Sequence, residues 1–202
     1  MDDPDKELVV SYLTLRQMIG WIALLMPVTV KIGAAILDGI PAGTSISAYY
    51  YTSMRDVFVS TMVLVGVLVA CYRTPDLCDN VVAVVAGIAA ICIGLVPTDP
   101  PGAHISRLGE CHLAFAIAFS ALSFYLVYFR FGAFTPPAPS RQKRARNRTY
   151  KACGLVMLVC FVADYCLLWQ NQSVFWPEAI SVIAFSIAWL VKGRTVLKER
   201  AA

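Results

Sequence analysis

His112, Glu178 and Asp56 are the residues of this chain best suited to acid–base chemistry, because each sits where a polar segment meets a long apolar run. Around them lie Arg55, Ser47, Tyr50, His104, Arg107 and Glu110, in three short polar stretches: "SISAYYYTSMRD" (45–56), "PTDPPGAHISRLGE" (97–110) and "QNQSVFWPE" (170–178). Imidazoles and carboxylates move protons when burial or a neighbour tunes them. A serine such as Ser45 or Ser47 within reach would supply a nucleophile. Arg55 suits an anionic headgroup, since a guanidinium donates two parallel hydrogen bonds to one phosphate. The same groups would equally serve a proton relay in a transporter, and residue types alone do not separate the two chemistries.

A catalytic metal needs about three protein ligands and an open position. His104, His112 and one of Asp56, Glu110 or Glu178 make three, yet eight residues separate the histidines and no HxxxH or HExxH spacing occurs. No metal is assigned, and no motif specifies a cofactor. Several acids have structural readings beside the chemical one. Ser53 and Asp56 fit a capping box for the second helix, Glu178 after Pro177 fits a helix first turn, Glu110 does likewise for the fourth helix, and Asp79 and Asn80 fit a cap of the third.

The elements that must position these groups are apolar. Of the 202 residues 58% are hydrophobic and 15% charged, against about 25% charged in soluble domains, and the mean hydropathy is +0.66. A bilayer core about 30 Å thick takes roughly 20 apolar residues per helical crossing. Six runs qualify, at 17–37, 54–72, 80–96, 111–129, 150–169 and 179–197. Unbroken runs such as "VVAVVAGIAAICIGLV" lack the alternation of a membrane β-barrel. The acidic leader "MDDPDKE" lacks the basic start of a signal peptide, so the first run reads as a retained span. The predicted fold is all-α, a single polytopic transmembrane six-helix bundle.

Its orientation follows from Lys and Arg placement. With a cytoplasmic N-terminus, only Lys31, Arg55 and Arg107 of the 17 basic residues fall on the outer side, which puts both termini in the cytoplasm. The densest basic cluster lies in the loop 131–149, where "TPPAPS" runs into "RQKRARNR". The cluster at 141–151 would attract anionic lipid at roughly 1 kcal/mol per residue near the surface. Membrane lipids are thus the expected partners, and no nucleic-acid motif is present. The sequence sets no oligomeric state. The seven cysteines are dispersed and read mostly as packing residues, with Cys111 and Cys166 near the same outer level. Lys31 in the first span and Asp164 in the fifth fall at similar depth, and a charge in a span needs a partner or water. The expectation is an intramembrane Lys31–Asp164 ion pair.

The combination of "SISAYYYTSMRDVFV", "AGIAAICIGLVPT", the histidine opening the fourth span and "FWPEAISVIAFSIAWLVKG" resembles an uncharacterised bacterial family of six-helix inner-membrane proteins over most of the chain. More distantly, the plan is similar to the damage-regulated autophagy modulator and GPI-remodelling membrane proteins. The resemblance to the bacterial family implies a bacterial inner membrane and brings no activity with it. The alkaline ceramidase and progestin-receptor superfamily uses three histidines, a serine and an aspartate across seven spans; here only His104 and His112 exist and no late HxxxH pair follows. The functional expectation is an outward-facing polar cavity for a lipid headgroup or small amphiphile, with hydrolysis or group transfer as a further step. The alternatives are a proton-coupled transporter or channel, and an accessory subunit without chemistry.

Overall fold

Apolar runs flanked by capping residues leave a chain few options besides helix. The computed structural model describes residues 12–40, 43–100 and 102–195, and their regular structure is helical throughout. In order come α1 (Tyr12–Leu37), a 3₁₀ turn (Ser47–Tyr51), α2 (Arg55–Ala70), α3 (Leu77–Leu95), α4 (Arg107–Tyr125) with a π turn (Leu126–Arg130), α5 (Arg141–Trp169) and α6 (Phe175–Lys192). Five of the six α-helices are long and apolar enough to cross a membrane. The sixth, α2, has 16 residues, or about 24 Å at the usual helical rise, and packs along α3.

Several helix starts are set by side-chain caps, each accepting an N–H that the first turn leaves unpaired. Asp76 Oδ1 accepts from the Cys78 amide at 2.8 Å, Ser106 Oγ from Gly109 at 3.1 Å and Ser140 Oγ from Lys143 at 3.1 Å. The third helix is therefore capped by Asp76, not by Asp79 or Asn80. Asn80 instead ties the turn before the helix, accepting from the Thr74 amide at 2.7 Å. The Ser53–Asp56 capping box does not form either. Asp38 takes the Ser53 hydroxyl at 2.6 Å and its amide at 3.0 Å, and Met54 caps α2 without a side-chain bond.

The cap at Ser140 also corrects two boundaries. The fifth helix begins at Arg141 and not at 150, so "RQKRARNR" forms its first two turns and only residues 131–140 form loop. Arg, Lys, Gln and Ala are all good helix formers, and the charge of the cluster had masked that. The last span, expected over 179–197, starts four residues earlier at Phe175 and is helical to Lys192; positions 196–197 lie outside the described residues.

The helices alternate in direction, and their connections sort to two ends. At one end Tyr51 Oη donates to Thr98 O at 2.5 Å, and the Val174 amide donates to Thr44 O at 2.8 Å, so the segments 43–54, 96–100, 102–106 and 170–174 form one surface, here called the tyrosine end. At the other, the arginine end, Gln17 Nε2 donates to Gly193 O at 2.9 Å. There Lys192 Nζ donates to Phe131 O at 2.9 Å, and Arg130 clasps Asp76 and the fully buried Asp79. Residues 12 and 195 thus share an end.

Two apolar cores stack along the bundle. Near the arginine end, Tyr72, Phe131, Tyr150 and Trp189 interlock edge to face, with ring centroids 5.0 Å apart for Tyr72–Trp189 and Phe131–Trp189. Near the tyrosine end, Met26, Ile46, Tyr49, Phe58, Met62 and Phe175 make the second core. The helix pair α2–α3 closes tightly because glycine faces glycine: a Cβ on Gly66 would lie 2.6 Å from Gly87 O. Small residues at such crossings let backbones approach where lipid gives no hydrophobic drive. By contrast, α4 and α5 meet chiefly through the π turn and share little contact beyond it.

Candidate functional site

Between the two cores lies a cavity of about 120 Å³. Its walls come from all six helices and from the 3₁₀ turn, each giving one face at helical spacing: Phe58, Thr61, Met62 and Val65 from α2, Ala116, Phe119, Ser120 and Ser123 from α4, and Glu178, Ser181, Val182 and Phe185 from α6. Asp164 enters from α5 and Ser47 from the 3₁₀ turn. Within this apolar shell two carboxylates and several hydroxyls converge, and among the described residues no Lys, Arg or His lines it. The cavity is acidic.

Its polar groups are unevenly satisfied. Glu178 Oε2 accepts from the Ile46 amide at 2.5 Å, anchoring the 3₁₀ turn to α6. Asp164 Oδ1 and Ser123 Oγ are buried with no hydrogen-bond partner. A buried polar atom left unpaired costs roughly 1–3 kcal/mol, so these two mark a place where an occupant with donors would gain most.

His112 stands just behind the wall, 5% exposed. Its Nδ1 lies 2.7 Å from Val96 O and its Nε2 3.0 Å from Ser47 Oγ. Asp99, in the connection before α4, is near enough for its charge to act on the imidazole. The carboxyl of Asp99 accepts from the Ser106 hydroxyl at 2.6 Å and amide at 3.0 Å, and these bonds, the hydroxyl's first, hold it below the usual carboxylate range. Gly109 makes room for it, since a Cβ there would overlap the Asp99 carboxyl.

Of the residues singled out from sequence, the structure brings together Ser47, His112 and Glu178, with Asp164 in the same cavity. The others lie apart. Asp56 is exposed on the first turn of α2 and does not line the cavity. Arg55 is turned to Tyr50, donating to its hydroxyl at 2.8 Å with the guanidinium 4.5 Å from the ring centroid, so the expected anion contact is already occupied by an aromatic partner. His104, Arg107 and Glu110 are exposed around the start of α4 and do not join His112. Among the described residues no three His, Cys, Asp or Glu side chains gather as metal ligands.

The Lys31–Asp164 pair does not form. Lys31 Nζ lies 4.9 Å from the Phe175 ring centroid and 5.1 Å from that of Trp176, a cation–π arrangement that serves an ammonium in low dielectric, while Asp164 turns into the cavity. Equal depth placed both at one level; helix rotation sent them to different faces. Cys111 and Cys166 are both exposed free thiols.

Sequence reasoning missed Thr61, Ser120, Ser123, Ser181 and Val96. Spacing held a signal for some of them: Ser120 and Ser123 share a helical face, and Ser181 lies one turn from Glu178. Val96 had none, because its role depends on where α4 meets the loop before it. No protein-family model, curated protein or solved structure matches the chain.

Proposed function

We propose that this chain is a multi-pass protein of the cell membrane whose cavity binds the headgroup of a lipid or another small amphiphile. The observation that carries the reading is the orphaned Asp164 Oδ1 beside Glu178 inside an otherwise apolar chamber. A volume of about 120 Å³ holds roughly four waters at about 30 Å³ each, or an ammonium or glycerol headgroup. Two carboxylates without a lining cation favour an amine or polyol over a phosphate. The sparse seam between α4 and α5 is the entry route, since an amphiphile can keep its tail in lipid there. The arginine end carries the plug of Tyr72, Phe131, Tyr150 and Trp189, which supports a pocket over a conduit through the bilayer.

In this reading both termini and the arginine end face the cytoplasm, and the tyrosine end faces out. The stripe Arg141, Arg144, Arg148 and Lys151, exposed along one face of α5 and continued by exposed Leu155, Leu158 and Val162, then meets anionic lipid at the inner leaflet. The resemblance to bacterial six-helix inner-membrane proteins is consistent with that placement.

The test is thermal unfolding of the purified chain in neutral detergent with added dodecylamine, monoacylglycerol or dodecyl sulfate. The amine and glyceride should raise Tm, as ligands that bind the folded state do, and the sulfate should not. Glu178→Gln and Asp164→Asn should each remove the dodecylamine effect while leaving membrane insertion intact. An equal response in wild type and both variants would exclude the cavity as the binding site.

A further inference from the structure

We infer that Ser47 and His112 form a nucleophile–base dyad that cleaves carboxylic esters of the amphiphile held in the cavity; the inference rests on the binding reading above and gives that site a reaction. The Val96 carbonyl can only accept a hydrogen bond, so the proton between it and His112 Nδ1, 2.7 Å away, belongs to the ring. In the neutral imidazole Nε2 then carries the lone pair, and the Ser47 hydroxyl, 3.0 Å off, donates to it. Nucleophile, base and an acceptor that fixes the tautomer stand in the order that activates a serine, with a backbone carbonyl in the place more often taken by a carboxylate.

The placement of the pair argues for chemistry. Ser47 lines the cavity and His112 does not, so an incoming carbonyl meets the hydroxyl with the base behind it, screened from solvent at 5% exposure. Glu178, through its bond to the Ile46 amide, holds the residue before the nucleophile in register. The Asp99 carboxylate, braced by Ser106, is near enough for its negative charge to favour an imidazolium. A histidine serving only as a structural tie would not need its serine partner to face an open chamber.

The reaction balances with water as the sole co-reactant. Ser47 Oγ bonds to the ester carbonyl carbon as its proton passes to His112 Nε2. The bond from carbon to the alkoxy oxygen breaks, and that oxygen takes the proton from Nε2 and leaves as the alcohol. Water then attacks the acyl-serine, giving its proton to Nε2. The bond from carbon to Ser47 Oγ breaks, Oγ recovers the proton, and a carboxylic acid departs. Hydroxyls of Thr61 and Ser181 in the same chamber are donors available to the oxyanion, and its apolar walls of Met26, Phe58 and Met62 suit the carbons next to the ester while the rest of the tail stays in lipid.

The experiment uses the full chain in detergent micelles with two probes: an alkyl fluorophosphonate, which phosphonylates an activated serine as fluoride leaves, and p-nitrophenyl octanoate. Expected are an adduct on the peptide containing Ser47, its loss in Ser47→Ala, and octanoate turnover lowered by about 100-fold or more in Ser47→Ala and His112→Gln, the lower range for a general base. Ser47→Ala removes one hydroxyl, and an unchanged Tm shows that it remains folded. No adduct in folded wild type, or turnover unaltered by Ser47→Ala, overturns the dyad. Dodecylamine stabilisation on the same samples keeps the two readings apart: persisting without an adduct, it retains the binding site and removes the reaction.

Discussion

At the scale of single residues, unsatisfied and oversatisfied groups divide the labour. Asp164 Oδ1 has no partner, whereas Asp99 accepts both the hydroxyl and the amide of Ser106. Asp99 lies in a connection between helices, and its carboxyl is depressed below its ordinary 3.8. A depressed carboxyl stabilises the fold above its unfolded value and loses that contribution as pH falls through the folded one. Protection of the Ser106 and Gly109 amides, measured as exchange relative to the intrinsic rate at each pH, should therefore hold at neutral pH and fall only below the ordinary carboxylate range. Asp99→Asn should speed exchange at both amides at pH 7 and flatten the acid response; an unchanged profile in the variant would mean that the brace contributes nothing.

At the scale of elements, the helices are held by different means. Backbone proximity joins α2 to α3, the Arg130 clasp joins the end of α4 to the start of α3, and aromatic edges tie the α5–α6 pair to the rest. The α2–α3 crossing is the least forgiving, because a Cβ on Gly87 would meet the Gly66 carbonyl and the Ala70 backbone, none of which can swing aside as a side-chain tip can. Gly87→Ala should cost about 1–3 kcal/mol, the usual range for overpacking, and lower Tm measurably in detergent. Gly39→Ala makes a useful contrast. There nothing crowds the missing Cβ and the penalty comes from φ +68° alone, a left-handed conformation that suits glycine where a helix ends.

At the scale of the whole molecule, the bundle has a polar face at the tyrosine end, a basic one at the arginine end and an apolar girdle between, with Trp21, Ile32, Val85, Ile117 and Val159 exposed along it. With every native cysteine replaced, Arg144→Cys should resist an impermeant thiol reagent in intact cells and Asn171→Cys should react; the reverse result would invert the proposed orientation. Much of this was open to reading beforehand. Helix number and the gathering of His112, Glu178 and Ser47 at one end followed from apolar run lengths and strict alternation of direction, which fix depth and end for every residue without any knowledge of packing. What depth cannot supply is azimuth. Whether Asp164 turns to Lys31 or to a cavity, whether Asp38 or Asp56 takes the Ser53 amide, and that Val96 O lies across His112 from Ser47 all depend on how each helix rotates against its neighbours. That rotation is set by contacts such as Gly66 on Gly87 that are distant in sequence and carry no local signal, so only the tertiary structure decides it.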